Sequence, residues 1–135
     1  MAFMQWDDQY SVGIKVIDDQ HKRLFAMIQD FYDQMRQKHT REGISTLLKG
    51  LADYSLYHFN SEEALMTRHQ YPGYLQHKNE HTKFIQKVEE FRLRFDSGQL
   101  LIPIEIAEFL KTWLSNHILK TDQQFAPFLR EIGVK

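Results

Sequence analysis

His58 and Glu62 stand four residues apart, as do His77 and His81, and the two pairs flank the run Tyr71-Pro72-Gly73. Residues four apart share one face of a helix, one turn from each other, so each pair can grip one ion or two adjacent ions. Further along, His117 and Asp122 are five apart, and His21 stands alone near the start. Neutral imidazoles and carboxylates without a thiolate suit iron, zinc, copper or manganese, and seven such donors are too many for a single ion. Two ions of about six ligands each, spanned by Glu62, Asp122 and a solvent oxygen, would leave one position open for a small exogenous ligand.

The elements that must hold these side chains read as hydrophobic stripes. Residues 1–18 show no helical period; Phe3, Trp6, Tyr10, Val12, Ile14 and Ile17 scatter around Gly13, which predicts an extended arm laid over a core. Asp18 or Asp19 can cap a first helix over 19–38, with His21, Phe25, Ile28, Tyr32 and Met35 in its stripe. Lys38-His39-Thr40-Arg41 reads as a polar turn. The second helix, 43–67, carries Ile44, Leu47, Leu48, Leu51, Ser55, His58, Glu62, Leu65 and Met66 on one face, so an imidazole and a carboxylate occupy apolar places. Burying them unpaired costs several kcal/mol, and a metal is the simplest compensation.

Pro72 cannot continue that helix and Gly73 is free in φ, so a turn is expected there. A third helix, 74–95, presents His77, His81, Phe84, Ile85, Val88, Phe91 and Phe95. Pro103 opens a fourth, 103–120, with Ile106, Phe109, Leu110, Trp113, Leu114, His117 and Ile118 in register. For Asp122 to face inward with His117, that helix must end, kink or carry a π-bulge near Lys120-Thr121. Residues 121–133 form a short closing helix bent by Pro127.

Four amphipathic helices with short connections predict an all-α, antiparallel up-down four-helix bundle, a single domain over 1–135 with an N-terminal arm and a short C-terminal helix. In such a bundle, residues equally far from a connecting turn lie at the same height. His21 is about 19 residues before a turn near 40, and His58 and Glu62 are about 17 and 21 after it. Around the turn near Tyr71, Glu62 and His81 are about 9 and 10 away; around one near 99, His81 and His117 are each about 18 away, with His77 and Asp122 about 22. All seven donors fall in one slab, which scattered core histidines would have no reason to share. His69 shares the face of Glu62 but sits about 10 Å beyond it, too far for a metal bond.

Bulk composition excludes more than it assigns. The net charge of -1 makes no electrostatic case for nucleic acid or an anionic membrane. The absence of cysteine removes disulfides, thiolate metal sites and cysteine nucleophiles, and is compatible with a reducing cytoplasm. No apolar run approaches the roughly 18 residues of a membrane span.

Gly13-Ile-Lys-Val-Ile-Asp18-Asp-Gln-His21, His58-Phe-Asn-Ser-Glu62-Glu63 with Met66, His77-Lys-Asn-Glu-His81, and Trp113-Leu-Ser-Asn-His117-Ile118 followed by Asp122 together resemble the hemerythrin family, specifically its single-domain bacteriohemerythrins. The resemblance implies two non-haem iron ions under a bridging oxo or hydroxo group, one held by His77, His81 and His117, the other by His21 and His58, with Glu62 and Asp122 spanning both. It implies reversible binding of O2 at the open position of the two-histidine iron, for carriage or storage, with no catalytic residues and no organic cofactor. Phe59, Trp113, Leu114 and Ile118 match positions that shape the family's apolar O2 pocket, although bundle packing alone would select such residues. Phe125 departs from a tyrosine often found nearby. A cytoplasmic monomer is expected, delivering O2 to an O2-consuming enzyme.

Rival chemistries fit fewer residues. His77-Lys-Asn-Glu80-His81 also matches the H-x-x-E-H pattern of zinc peptidases, which leaves His21, His58, Glu62 and Asp122 without a role. A ferritin-like site needs Glu-x-x-His motifs, which do not occur here. Within the resemblance, O2 sensing and iron or peroxide handling are the alternatives to carriage.

Overall fold

A computed structural model describes residues 3–38, 41–98 and 103–134. Its helices are α1 (Lys15–Arg36), α2 (Arg41–Arg68), α3 (Tyr74–Asp96), α4 (Pro103–Asn116) and α5 (Gln123–Glu131), with a short 3-10 turn at Asp8–Tyr10 and a π-helical segment at His117–Asp122 between α4 and α5. There is no strand among the described residues. The expected turns at His39-Thr40 and near residues 99–102 lie outside the described residues.

The fold is an antiparallel up-down four-helix bundle. The helix α1 packs on α2 and α4, and α2 on α3. The stripes anticipated from the sequence face one another: Leu24, Phe25, Ile28 and Phe31 of α1, Leu48 and Leu51 of α2, Phe84 and Val88 of α3, and Ile106, Leu110 and Leu114 of α4 form one apolar core. This core fills one end of the bundle. A smaller cluster of Val12, Ile14, Ile17, Met66, Phe125 and Leu129 closes the other end.

The arm is shorter than expected, and Asp18 and Asp19 do not cap α1. The helix begins at Lys15 with Ile14 at its N-cap and no capping side chain. Asp18 lies inside the first turn and turns back on the arm, accepting hydrogen bonds from the Ser11 hydroxyl at 2.6 Å and the Val12 amide at 2.9 Å. A carboxylate in a first helical turn also meets the positive end of the helix dipole, so the residue is favourable there without being the cap. The remaining arm is held by aromatic contacts, Phe3 stacking on Tyr32 and both Trp6 and Tyr10 meeting Phe25 edge-on.

At the second turn the left-handed residue is Gln70, with φ 58, rather than Gly73, with φ -88. The Tyr71 amide donates to the Met66 carbonyl at 2.9 Å and closes α2. Gly73 is needed for space: a Cβ there would lie 2.9 Å from the Tyr71 ring.

Candidate metal centre

The helices α1, α2 and α3 and the π-helical segment after α4 deliver donors to one buried point between the two apolar clusters. His21 comes from α1, His58 and Glu62 from α2, His77 and His81 from α3, and His117 and Asp122 from the two ends of the π-helical segment. All seven are buried, none more than 3% exposed. The π-helix supplies the departure from regular helix that the five-residue spacing demanded, since its i to i+5 hydrogen bonding brings residues five apart onto one face.

The Nε2 atoms divide between the oxygens of the two carboxylates. Glu62 Oε2 is 3.4 Å from His21 and 3.3 Å from His58, while Oε1 is 3.5 Å from His77 and 3.2 Å from His81. Asp122 Oδ2 is 3.2 Å from His21, and Oδ1 is 3.0 Å from His77 and 3.3 Å from His117. One oxygen of each carboxylate therefore faces His21 and the other faces His77, with His58 and His81 added at Glu62 and His117 at Asp122.

These contacts are close but are not hydrogen bonds. Both oxygens of Glu62 and of Asp122, and Nε2 of His21, His58 and His77, have no hydrogen-bond partner although fully buried. Leaving so many polar atoms unsatisfied costs several kcal/mol, unless something at the centre receives their lone pairs. Nε2 of His81 and of His117 are 3.0 Å apart. Their Nδ1 atoms face carboxylates, which can only accept, so each Nδ1 carries a proton and the two Nε2 atoms are left to share one proton or one cation. Adjacent ligands of one cation, each at a metal–imidazole bond of about 2.1 Å, are separated by about 3 Å. The donor set thus fits a metal. Glu62, His77, His81 and His117 form one group with donor atoms within 4.8 Å of one another, and His21, His58 and Glu62 form a second.

Without a cation, the buried carboxylates and imidazoles set one another's protonation. Burial raises the Glu62 carboxyl, but His58, His21 and His77 outweigh it and hold the group well below the usual carboxylate range. Asp122 is likewise held low against burial and the neighbouring Glu62, by His117 and His21. Burial lowers His58. Burial also acts on His21 and His117, but the Asp122 and Glu62 carboxylates raise them to about 9 and about 10.

Sequence reasoning missed the residues behind the imidazoles. The amide oxygen of Gln20 accepts from Nδ1 of His58 at 2.6 Å, Glu63 accepts from Nδ1 of His81 at 2.9 Å, and Glu80 from Nδ1 of His117 at 2.9 Å and from the Thr121 hydroxyl at 2.8 Å. Each is the chain neighbour of a donor: Gln20 of His21, Glu63 of Glu62, Glu80 of His81. One step along a helix swings a side chain about 100° aside, toward the donor of the neighbouring helix. That adjacency is the signal that could have found them.

Of the residues expected to shape an O2 pocket, Phe59 stacks on His81 at 3.9 Å and Trp113 on His117 at 4.5 Å, so both back the α3 and π-segment histidines. Leu114 and Ile118 are buried in the same core as Phe59. Phe125 packs edge-on against His77 at 5.4 Å and offers no acceptor to its Nδ1. His69 lies beyond the end of α2, outside both donor groups.

Four antiparallel helices closed on a buried cluster of imidazoles that share two carboxylates define a cation-binding helical bundle. The chain belongs to the hemerythrin family: the family model described as the hemerythrin HHE cation binding domain matches residues 12–129. It is similar to a bacteriohemerythrin of Pseudomonas aeruginosa, 38% identical over 130 residues covering 96% of this chain and 84% of that protein. It is also similar to one of Methylococcus capsulatus, 32% identical over 130 residues, covering 96% and 98%. A crystal structure of wild-type hemerythrin superposes with a TM-score of 0.88 at 31% identity, covering 93% of this chain and 97% of that one.

Proposed function

We propose that this protein binds O2 reversibly at a pair of non-haem iron ions and serves as a carrier or store, acting as a cytoplasmic monomer. The observation that carries the reading is the division of the two carboxylates, each with one oxygen toward His21 on one side and the other toward His77 on the other. His77, His81 and His117 would hold one iron, His21 and His58 the second, and Glu62 and Asp122 would span them. When bound, such a pair supplies the two electrons that reversible O2 binding draws on.

The chain's own residues supply orientation and dryness. Nδ1 contacts from Gln20, Glu63 and Glu80 fix the rings of His58, His81 and His117 with Nε2 inward. Phe59, Leu114 and Ile118, each 2% exposed or less, keep water and its protons from the centre. The H-x-x-E-H peptidase reading would need Glu80 free beside a metal-bound water. Its carboxylate instead lies behind His117, engaged by Nδ1 and Thr121, which favours binding over hydrolysis. An O2-consuming enzyme is the natural recipient of O2 carried or stored at such a site.

The test is to reduce the purified protein anaerobically, load and count iron, admit O2, and remove it while recording the spectrum. A pair of irons per chain with a reversible charge-transfer band is expected; tight uptake of a single zinc without an O2 response would sink the reading. Light scattering on the loaded protein checks the monomer.

A further inference from the structure

The imidazoles are backed unequally. Nδ1 of His81 and of His117 each meet a carboxylate, Glu63 and Glu80, at 2.9 Å. Nδ1 of His58 meets only the neutral amide oxygen of Gln20, and Nδ1 of His21 and of His77 has no partner. Both anionic contacts therefore fall on the group of His77, His81 and His117, and none on the group of His21 and His58.

A carboxylate accepting the N–H of an imidazole raises the basicity of the opposite nitrogen and fixes the ring plane, and both effects strengthen a bond to a cation. The same two rings are held a second time by stacking, His81 by Phe59 and His117 by Trp113. The Thr121 hydroxyl orients Glu80 from the π-segment.

The geometry points to two cation positions that are unequal by construction: the one built from His77, His81 and His117 fills first and holds tightly, the one built from His21 and His58 is labile, and Glu63 and Glu80 are the positioning residues that widen the difference. The inference rests on the paired-cation reading above. It places metal loss, and the partly loaded state of the protein, at the two-histidine position.

The test is an anaerobic titration of metal-free protein with Co(II) at pH 7, following heat and the cobalt d–d absorption together. Two separate steps are expected, the first at least about tenfold tighter; Glu63→Gln and Glu80→Gln should each weaken the first step by about 10- to 100-fold and leave the second within about threefold. Gln20→Glu, which gives His58 an anionic partner, should tighten the second step and narrow the gap. A merely structural role for these side chains would weaken both steps in parallel. That outcome, or two indistinguishable steps in the unaltered protein, overturns the inference while leaving paired-cation binding intact. Failure to take up cobalt at all overturns the proposed function with it. Far-UV circular dichroism of each variant identifies any that do not fold, and Gln20→Glu, acting in the opposite direction, decides the question in that case.

Discussion

Glu62 and Asp122 each turn one oxygen to His21 and the other to His77, so neither can be removed without disturbing both groups of imidazoles. Asp122→Ala or Glu62→Ala is expected to lower iron loading from a full pair to one ion or fewer per chain, measured by elemental analysis; undiminished loading would refute their spanning role. The metal-free chain should also show a characteristic pH profile. His21 and His117, raised to about 9 and about 10, contribute stability that is complete below the unfolded value of 6.5 and lost as pH rises through those values. Glu62 and Asp122, held low, contribute above their unfolded values of 4.5 and 3.8 and lose that contribution as pH falls through their depressed ones. His58, pushed down by burial, opposes stability as pH falls below 6.5. The urea midpoint of metal-free protein should therefore decline from pH 7 to pH 10, and metal uptake at pH 7 should release protons from His21 and His117, detectable with an indicator dye. A flat alkaline profile with no proton release would contradict the assignment.

At the scale of elements, the π-helical segment and the arm decide whether the site closes. A regular helix would place Asp122 about 140° away from His117, and the π-segment removes that offset where the donors require it. The arm then clamps both ends of the chain to the bundle: Asp18 holds Ser11 and Val12 from α1, while Gln123 donates to the Ser11 carbonyl at 3.0 Å and Arg130 to the Val12 carbonyl at 2.6 Å from α5. Gly13 makes this clamp possible, having φ 76 and a position at which a Cβ would lie 2.7 Å from the Arg130 guanidinium. Gly13→Ala should cost about 2 kcal/mol in urea denaturation, through left-handed strain and displacement of Arg130. A loss smaller than about 0.5 kcal/mol would show the clamp to be dispensable.

For the whole molecule, a bound metal is expected to add to the fold's stability. The bundle gathers buried donors with no hydrogen-bond partners at its centre, so the metal-free state carries a cost that a bound cation relieves. Iron at about 100 times its dissociation constant should stabilise the folded chain by about 2.7 kcal/mol, and stripping it with a chelator should lower the melting temperature reversibly. An identical melting temperature with and without iron would mean that the donors are not coupled to the fold.

Much of this was legible in one dimension. Ligand types and the four-residue spacings of His58 with Glu62 and His77 with His81 follow from helical period alone, and the shared height of His21, His117 and Asp122 follows from counting residues to the turns. The need for a break between His117 and Asp122 came from the same arithmetic. What only the tertiary structure decided are contacts that cross between helices. The start of α1 at Lys15 and the inward role of Asp18 depend on the arm folding back, and at the second turn Gln70 takes the left-handed conformation while Gly73 leaves room for the Tyr71 ring. Above all, Gln20, Glu63 and Glu80 reach histidines 38, 18 and 37 residues away. They stand at the flank of each stripe, where a single helix reads as polar surface, and only the neighbouring helix turns that flank into the wall behind an imidazole.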